Sequence, residues 1–383
     1  LENAAAGADT RNNATFTAAA IALVQDDQVP TTPKSSLERF EELAPTITPE
    51  SVMEALRGEA IPLERPLIRF EGRTAPAGGA AALRKAWNRA IRRPVDPPSS
   101  AAVAQFAYSD FGAPGTVLSD RTDPRLGIRE LRFANGLKLN LKRTDLKLDR
   151  IWYELNVDGG DMLDTKNNPL ATAMVSLLPQ GGLGKHSYDD LQSILAGRSV
   201  SFSLDSAADT FAMNGVTTPR DLSLQLQLLA AGITDPGYRS QGEAQYHRNV
   251  TNFFASKDAT PSSALNNALG GIISDGDPRF TLQSKEDYLA LNFAKLRTDI
   301  ADRLAHGAME LALVGDFDEG KAIDLVARTL GALPPREAEF RPYADNRQRS
   351  FTADRSPRAI NHLGQADQAL LRFSWPTRDD SDA

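Results

Sequence analysis

Leu131-Arg132-Phe133-Ala134-Asn135-Gly136-Leu137-Lys138-Leu139-Asn140-Leu141-Lys142 alternates apolar and polar residues on both sides of Asn135-Gly136. A period of two places one residue set on each face of a strand. Asn-Gly suits the positive φ angles of a type I′ turn, so this stretch predicts a β-hairpin with one buried face. Ile151 to Val157 alternates again and stops at Gly159-Gly160, and Pro169 to Leu178 is an apolar run of helical length. Ser187 to Asp190, Thr218 to Asp221 and Ser284 to Asp287 each read as a hydroxyl followed three residues later by an acid, the pattern of a capping box. The helices they open are expected to end near Gly197, Gly232 and His306-Gly307. Val200 to Leu204, Thr210 to Val216 and Met309 to Val314 read as strands, and Gly320 to Leu330 reads as a helix. Strands and helices mix here without strict βαβ alternation. That order predicts an α+β domain whose mainly antiparallel sheet is covered by helices.

The flanks read differently. Before the linker the chain is mostly helical: Phe16 to Val24, Leu37 to Leu43, Thr48-Pro49-Glu50 onward to Arg57, and Ala80 to Arg93 before Pro94. Pro66 to Phe70 reads as one short strand. Asp96 to Pro124 is rich in Pro, Gly and Ser with no sustained period, so a linker and a domain boundary are expected there. Ala369 to Pro376 reads as a strand that needs a sheet to pair with.

The composition narrows the chemistry. The chain has 383 residues, 43 Lys+Arg against 50 Asp+Glu, a net charge of −7 and no cysteine. Without cysteine there are no disulfides, thiolate zinc sites, iron–sulfur clusters or cysteine nucleophiles. An acidic total argues against a dedicated nucleic-acid binder, and Arg84, Lys85, Arg89, Arg92 and Arg93 read as the solvated face of a helix. No apolar run approaches the ~20 residues that span a bilayer. The chain opens at Leu1 rather than at a methionine, which raises the expectation of a piece of something longer.

The common catalytic patterns are missing. There is no Gly-x-Ser-x-Gly, no Gly-x-Gly-x-x-Gly, no His-Glu-x-x-His and no His-x-x-Glu-His. His186, His247, His306 and His362 stand far apart, so no helix-borne pair of zinc ligands exists. Gly315 to Lys321 looks like a phosphate loop, but Ala322 replaces the hydroxyl that holds Mg²⁺, and Asp316, Asp318 and Glu319 would repel phosphate. An acidic strand-to-helix turn accounts for it better. Asp189 and Asp190 read as first-turn acids rather than a catalytic dyad.

Taken in order, Phe106 to Gly115, Phe133 to Leu139, Gly159-Gly160, the Pro169 run, the Tyr188 to Gly197 helix, the paired strands between 200 and 217, and Leu311 to Phe317 leading to Leu333-Pro334 resemble the pitrilysin/insulinase family of zinc metallopeptidases, the inverted zincins. The resemblance implies a metalloenzyme LuxS/peptidase-like repeat, in which repeated α+β domains form two halves that close on a chamber. It also implies where zinc would be held: by two His of His-x-x-Glu-His and a distal Glu, with the motif Glu activating water. On this sequence the two His positions fall on Thr172 and Ser176, the Glu on Val175, and the distal Glu near Phe253. None of these can ligate zinc or act as a base at neutral pH. No catalytic, cofactor-binding or metal residue is therefore assigned to this chain.

The resemblance implies that residues 1–95 are the helical end of a preceding domain, 96–125 a linker between halves, 126–345 a complete inactive domain, and 346–383 the start of another. The chain would then be a non-catalytic segment of a zinc endopeptidase whose zinc lies in an N-terminal domain. Its partners would be a peptide or unfolded polypeptide and its own catalytic half, with no nucleic acid and no transmembrane segment. A periplasmic or envelope-associated location is the expectation. The alternative is a structural or partner subunit with no active site.

Overall fold

A computed structural model describes residues 1–25, 31–59, 66–72, 74–94, 105–375 and 377. The chain divides into two compact units, Leu1–Ala102 and Val103–Ala383. The first unit holds helices α1 (Glu2–Ala6), α2 (Asn13–Gln25), α3 (Pro33–Leu43), α4 (Pro49–Glu59) and α5 (Gly79–Ala90). None of the five contains a buried residue. In α2 the apolar Phe16, Ile21 and Val24 are exposed, although it is the most apolar helix of the unit. The strand expected at Pro66 to Phe70 does not form; residues 66–70 have no regular structure.

The second unit is built on one seven-stranded sheet. Its strands are β1 (Val117–Asp123), β2 (Ile128–Phe133), β3 (Lys138–Arg143), β4 (Ile151–Asp158), β5 (Asp205–Ser206), β6 (Thr210–Thr217) and β7 (Met309–Gly315). Their spatial order is β1-β2-β3-β7-β4-β6-β5. Among the described residues only the β3–β7 pairing is parallel; the others are antiparallel. Helices α6 (Tyr188–Ile194), α7 (Leu222–Thr234), α8 (Ser240–Ser256), α9 (Pro261–Ile273), α10 (Lys285–Leu289), α11 (Phe293–His306), α12 (Glu319–Arg328) and α13 (Ala344–Arg347) complete the unit. The α+β reading with a mainly antiparallel, helix-covered sheet is what the structure has. The inward residues of the strands, among them Leu139, Leu141, Ile151, Leu155, Phe211, Leu311 and Leu313, form one core with Leu226, Leu229, Leu296, Ile300 and Val326 of the helices.

The hairpin forms, with a different turn. Phe133 N–H donates to Leu137 O at 2.9 Å and Gly136 N–H to Phe133 O at 3.0 Å. Gly136 has φ +95, whereas Asn135 stays at negative φ, so this is a three-residue turn closed by a left-handed glycine and not type I′. The reason lies in the Asn135 side chain, which is buried. Its Nδ2 donates to Leu330 O (2.9 Å) and Leu333 O (3.1 Å), and its Oδ1 accepts from Leu137 N–H at 3.2 Å.

Other expectations shift for physical reasons. Strand β1 lies inside the stretch read as linker, whose first part, residues 96–104, lies outside the described residues. It is illegible in the sequence because it is a polar edge strand, and exposed edges carry charge against chain-to-chain pairing. Val200 to Leu204 runs without ladder bonds, because the Gln225 carboxamide takes both the N–H and the C=O of Ser201 at 2.9 Å each. The capping boxes at Ser187 and Ser284 form. At Thr218 only half of one forms: Thr218 Oγ1 accepts from Asp221 N–H at 3.3 Å, but α7 starts at Leu222, and the Asp221 carboxylate instead accepts from Ser199 N–H at 2.8 Å and pairs with Arg198 and Arg220. The single helix expected from Ser284 to His306 is two, α10 and α11, the second capped by Asn292 through Lys295 N–H. Pro169 to Leu178 is not an α-helix but a series of turns leading into a 3-10 segment, Val175–Gly181. Pro179 supplies no N–H to the Val175 carbonyl and disfavours helical backbone at Leu178. Residues 369–375 form no strand, and Leu370, Leu371, Phe373 and Trp375 are exposed; Pro376 lies outside the described residues.

Candidate functional site

The positions to which the resemblance assigns zinc ligands meet four different environments. Val175 is fully buried in the core, Thr172 is buried, Ser176 is exposed, and Phe253 on α8 is exposed beside the Phe254 ring. Thr172 is committed elsewhere: its N–H and Oγ1–H donate to the Asp164 carboxylate at 3.0 and 2.9 Å. Burial pushes the Asp164 carboxyl up to about 6, against the pull of those two hydrogen bonds. The donor set is one hydroxyl already bonded, one hydroxyl on the surface, an aliphatic and an aromatic side chain. It does not fit zinc, which takes imidazole, thiolate or carboxylate in tetrahedral array.

The histidines are equally dispersed. His247 Nε2 meets Leu291 O at 3.0 Å, His306 Nδ1 meets Asp302 Oδ1 at 3.1 Å, and His362 Nε2 meets Gln368 O at 3.0 Å. His186 Nε2 accepts from Ala107 N–H at 2.9 Å. Among the described residues no three of His, Asp and Glu gather as a metal group would require. Asp190 closes the Ser187 capping box at 2.9 and 2.7 Å, and neighbouring Asp189 is a first-turn acid of α6.

The phosphate-loop lookalike is an acidic turn. Asp318 caps α12 by accepting Lys321 N–H at 2.7 Å, Asp316 accepts from Asp149 N–H at 2.9 Å, and Glu319 pairs with Arg129 at 2.9 Å. Every acid of the turn is occupied by the fold, and no anion cradle remains there.

What the second unit does present is the outer face of its sheet. The strand register aligns side chains in rows. Val314, Trp152 and Val216 are cross-strand neighbours on β7, β4 and β6, with Lys142 of β3 beside Val314. Ala312, Glu154 and Asn214 form the next row, and Glu310, Asn156 and Ala212 the one after. Trp152, Val216 and Val314 remain 43%, 41% and 39% exposed. Toward β2 the face holds a depression of about 470 Å³ lined by Arg121, Glu130, Arg132, Lys138, Lys142 and Glu310. Three of its cations are paired: Arg121 with Glu130 at 2.7 Å, and Arg132 and Lys138 both with Glu339, outside the lining, at 3.0 and 2.6 Å. An apolar row centred on Trp152 and bordered by paired charges suits an extended polypeptide, which offers bulky side chains and polar backbone in alternation. It carries no nucleophile–base pair. The sequence holds a signal for this row that a reading of alternation alone misses. Trp152, Val216 and Val314 are apolar residues on the polar phase of their strands, which turns Ile151-Trp152-Tyr153 and Leu313-Val314 into unbroken apolar runs.

These features define an α+β unit built on a helix-covered, mainly antiparallel sheet, and the comparisons agree on the fold. No family model matches the chain. It is 24% identical over 233 residues to the chloroplastic stromal processing peptidase of Arabidopsis thaliana, a match covering 60% of this chain but 18% of that protein. The chain thus spans less than a fifth of the curated relatives it matches. Two solved structures share the fold. The periplasmic protease PqqL from Escherichia coli aligns at TM-score 0.55 and 15% identity, covering 90% of this chain and 38% of that one. A mutant of the ferredoxin protease FusC, in complex with Arabidopsis ferredoxin, aligns at TM-score 0.53 and 15% identity over 86% and 37%. The chain is similar to the pitrilysin/insulinase peptidases, as the order of its sequence segments implies. Among the described residues no helix is long and apolar enough to cross a membrane.

Proposed function

We propose that this chain is a non-catalytic segment of a zinc metalloendopeptidase, and that its outer sheet face forms part of the wall against which polypeptide substrate lies. The observation that carries this reading is the segment from Pro169 to Gly181. Where active relatives would need a ligand-bearing helix, this chain has turns, a 3-10 segment, a buried Val175 and a Thr172 tied to Asp164. Zinc and catalysis then belong to another domain of the parent. Helices α1–α5 support the same reading, since they bury no residue and leave α2 apolar and exposed, as helices would that cover a sheet outside this chain. On this reading residues 1–95 are the helical part of a preceding domain, 96–125 join the halves, 126–345 are a complete inactive domain, and 346–383 begin the next. Substrates are unfolded or extended polypeptides. The complex of FusC with a ferredoxin supports protein substrates, and the periplasmic character of PqqL supports an envelope location.

The test is binding of a labelled, reduced and carboxymethylated protein, followed by anisotropy. Trp152→Ala is expected to weaken binding about tenfold, the order expected for losing an aromatic anchor. Folding stability should change by less than about 1 kcal/mol, because Trp152 is half exposed. Binding that Trp152→Ala leaves unchanged would remove the sheet face from the proposal.

A further inference from the structure

The residues just ahead of β1 are strapped to the rest of the second unit through a histidine. Phe106, Tyr108 and Phe111 pack against Leu183, Leu191, Leu228 and Ala231. Tyr108 is 7% exposed; its hydroxyl donates to Asp235 Oδ2 at 2.7 Å and accepts from Lys185 N–H at 2.8 Å. Beside it, Ala107 N–H donates to Nε2 of His186, whose side chain is 4% exposed. The imidazole stacks on Phe106 at 5.6 Å and 19° and meets the Tyr108 ring edge-on at 5.9 Å.

This bond fixes the protonation state of the docked form. A ring nitrogen accepts only when it carries no proton, so the docked imidazole is neutral with its proton on Nδ1. A protonated ring would have donors at both nitrogens, and one would oppose the Ala107 N–H. We infer that residues 106–111 form a pH-sensitive strap, docked by neutral His186 and released when that imidazole is protonated.

The surrounding charges agree with this direction. Burial holds the His186 imidazole below its ordinary value, and the Arg239 and Lys185 cations push the same way. Arg239 donates to the His186 carbonyl at 2.9 Å, and the Lys185 ammonium lies 4.8 Å over the Tyr108 ring. Asp190 pulls the other way, but its carboxylate is engaged by Ser187. Asp235 accepts from the hydroxyl of Tyr108, the ring that meets the imidazole edge-on. The docked form therefore binds protons less well than the released form. Docking is complete above the ordinary imidazole value of 6.5 and weakens as the pH falls through it toward the lowered value. The strap stands independently of the proposed peptide-binding face, since none of its groups belongs to the row of Trp152, Val216 and Val314.

The test is amide hydrogen exchange at Ala107 and Tyr108 in the full chain, corrected for intrinsic rates, at about pH 7.5 and about pH 5.5. Protection is expected to fall on acidification by up to about tenfold, the ceiling that one imidazole of ordinary value 6.5 in the released form sets over this pH interval. In His186→Gln the amide oxygen can accept from Ala107 N–H at any pH, so protection should stay the same at both. Wild-type protection that does not change, or an equal loss in His186→Gln, overturns the inference. If His186→Gln fails to fold by circular dichroism, the imidazole NMR titration of the wild type decides instead. The midpoint of release must coincide with His186 protonation, and a release at a different pH overturns it.

Discussion

Truncating Asp158 to alanine is expected to destabilise the sheet unit by about 3 kcal/mol, because it removes a fully buried carboxylate from Arg303 and leaves the Tyr343 hydroxyl and the Arg341 N–H without their acceptor. Asp158 lies at the end of β4 and is fully buried. Its carboxylate accepts from Arg303 Nη1 at 3.0 Å, from the Tyr343 hydroxyl at 2.7 Å and from Arg341 N–H at 2.8 Å. Arg303, on α11, is 2% exposed and also donates to Glu337 at 2.8 and 3.1 Å. One carboxylate therefore holds a strand end, a helix and the 337–343 segment together. The loss should register as a lowered midpoint in chemical unfolding and as faster exchange at Arg341. An Asp158→Ala midpoint within experimental error of wild type would contradict this assignment. The network also predicts acid sensitivity. Hydrogen bonds from Arg303 and Arg341 hold the Glu337 carboxyl down at about 2. A depressed carboxyl stabilises the fold fully above its ordinary value, 4.5, and that contribution is lost as the pH falls toward the lowered one.

Gly315→Ala is expected to cost about 2–5 kcal/mol, combining backbone strain with overpacking. Gly315 has φ +140, and a Cβ there would lie 2.1 Å from the Arg150 carbonyl oxygen. That oxygen cannot retreat without breaking its bond from Asp316 N–H at 2.9 Å. Gly320 is the internal control. It lies inside α12, its added Cβ would come no closer than 3.4 Å to Asp318 Oδ1, and its φ is ordinary. Gly320→Ala should therefore stabilise by up to about 0.5 kcal/mol, below the helix-interior difference because Gly320 is the second residue of α12. Opposite signs at two glycines five positions apart are the result to look for in matched unfolding curves.

How far the sequence can be read depends on whether local or distant partners decide each element. Strands β2, β3, β4 and β7 are legible because each buries one face, and burial imposes alternation that survives in the residue order. The Ser187 and Ser284 caps are legible because a capping box is closed within four residues. Asn135 shows the limit: Asn-Gly marks the hairpin correctly, but carbonyls almost two hundred positions away choose its turn. Asp221 and Gln225 show it again, since their side chains satisfy the backbone of 199–201 and so remove an expected strand. The Pro169 run is apolar enough for a helix, yet Pro179 and the Asp164–Thr172 bonds favour turns. β1 gives no signal because exposed edge strands bury neither face. Of the candidate site little is legible, because Trp152, Val216 and Val314 become a row only once the register of three strands is known.

The central claim is that this chain contributes structure and binding surface, and that the zinc chemistry lies elsewhere in its parent. The direct measurement is zinc content of the purified chain by mass spectrometry, taken beside cleavage of an unfolded polypeptide with and without chelator. Substoichiometric zinc that chelation removes without changing stability, together with no cleavage, is the result expected here. One tightly held zinc per chain, with cleavage that chelation abolishes, would contradict the account.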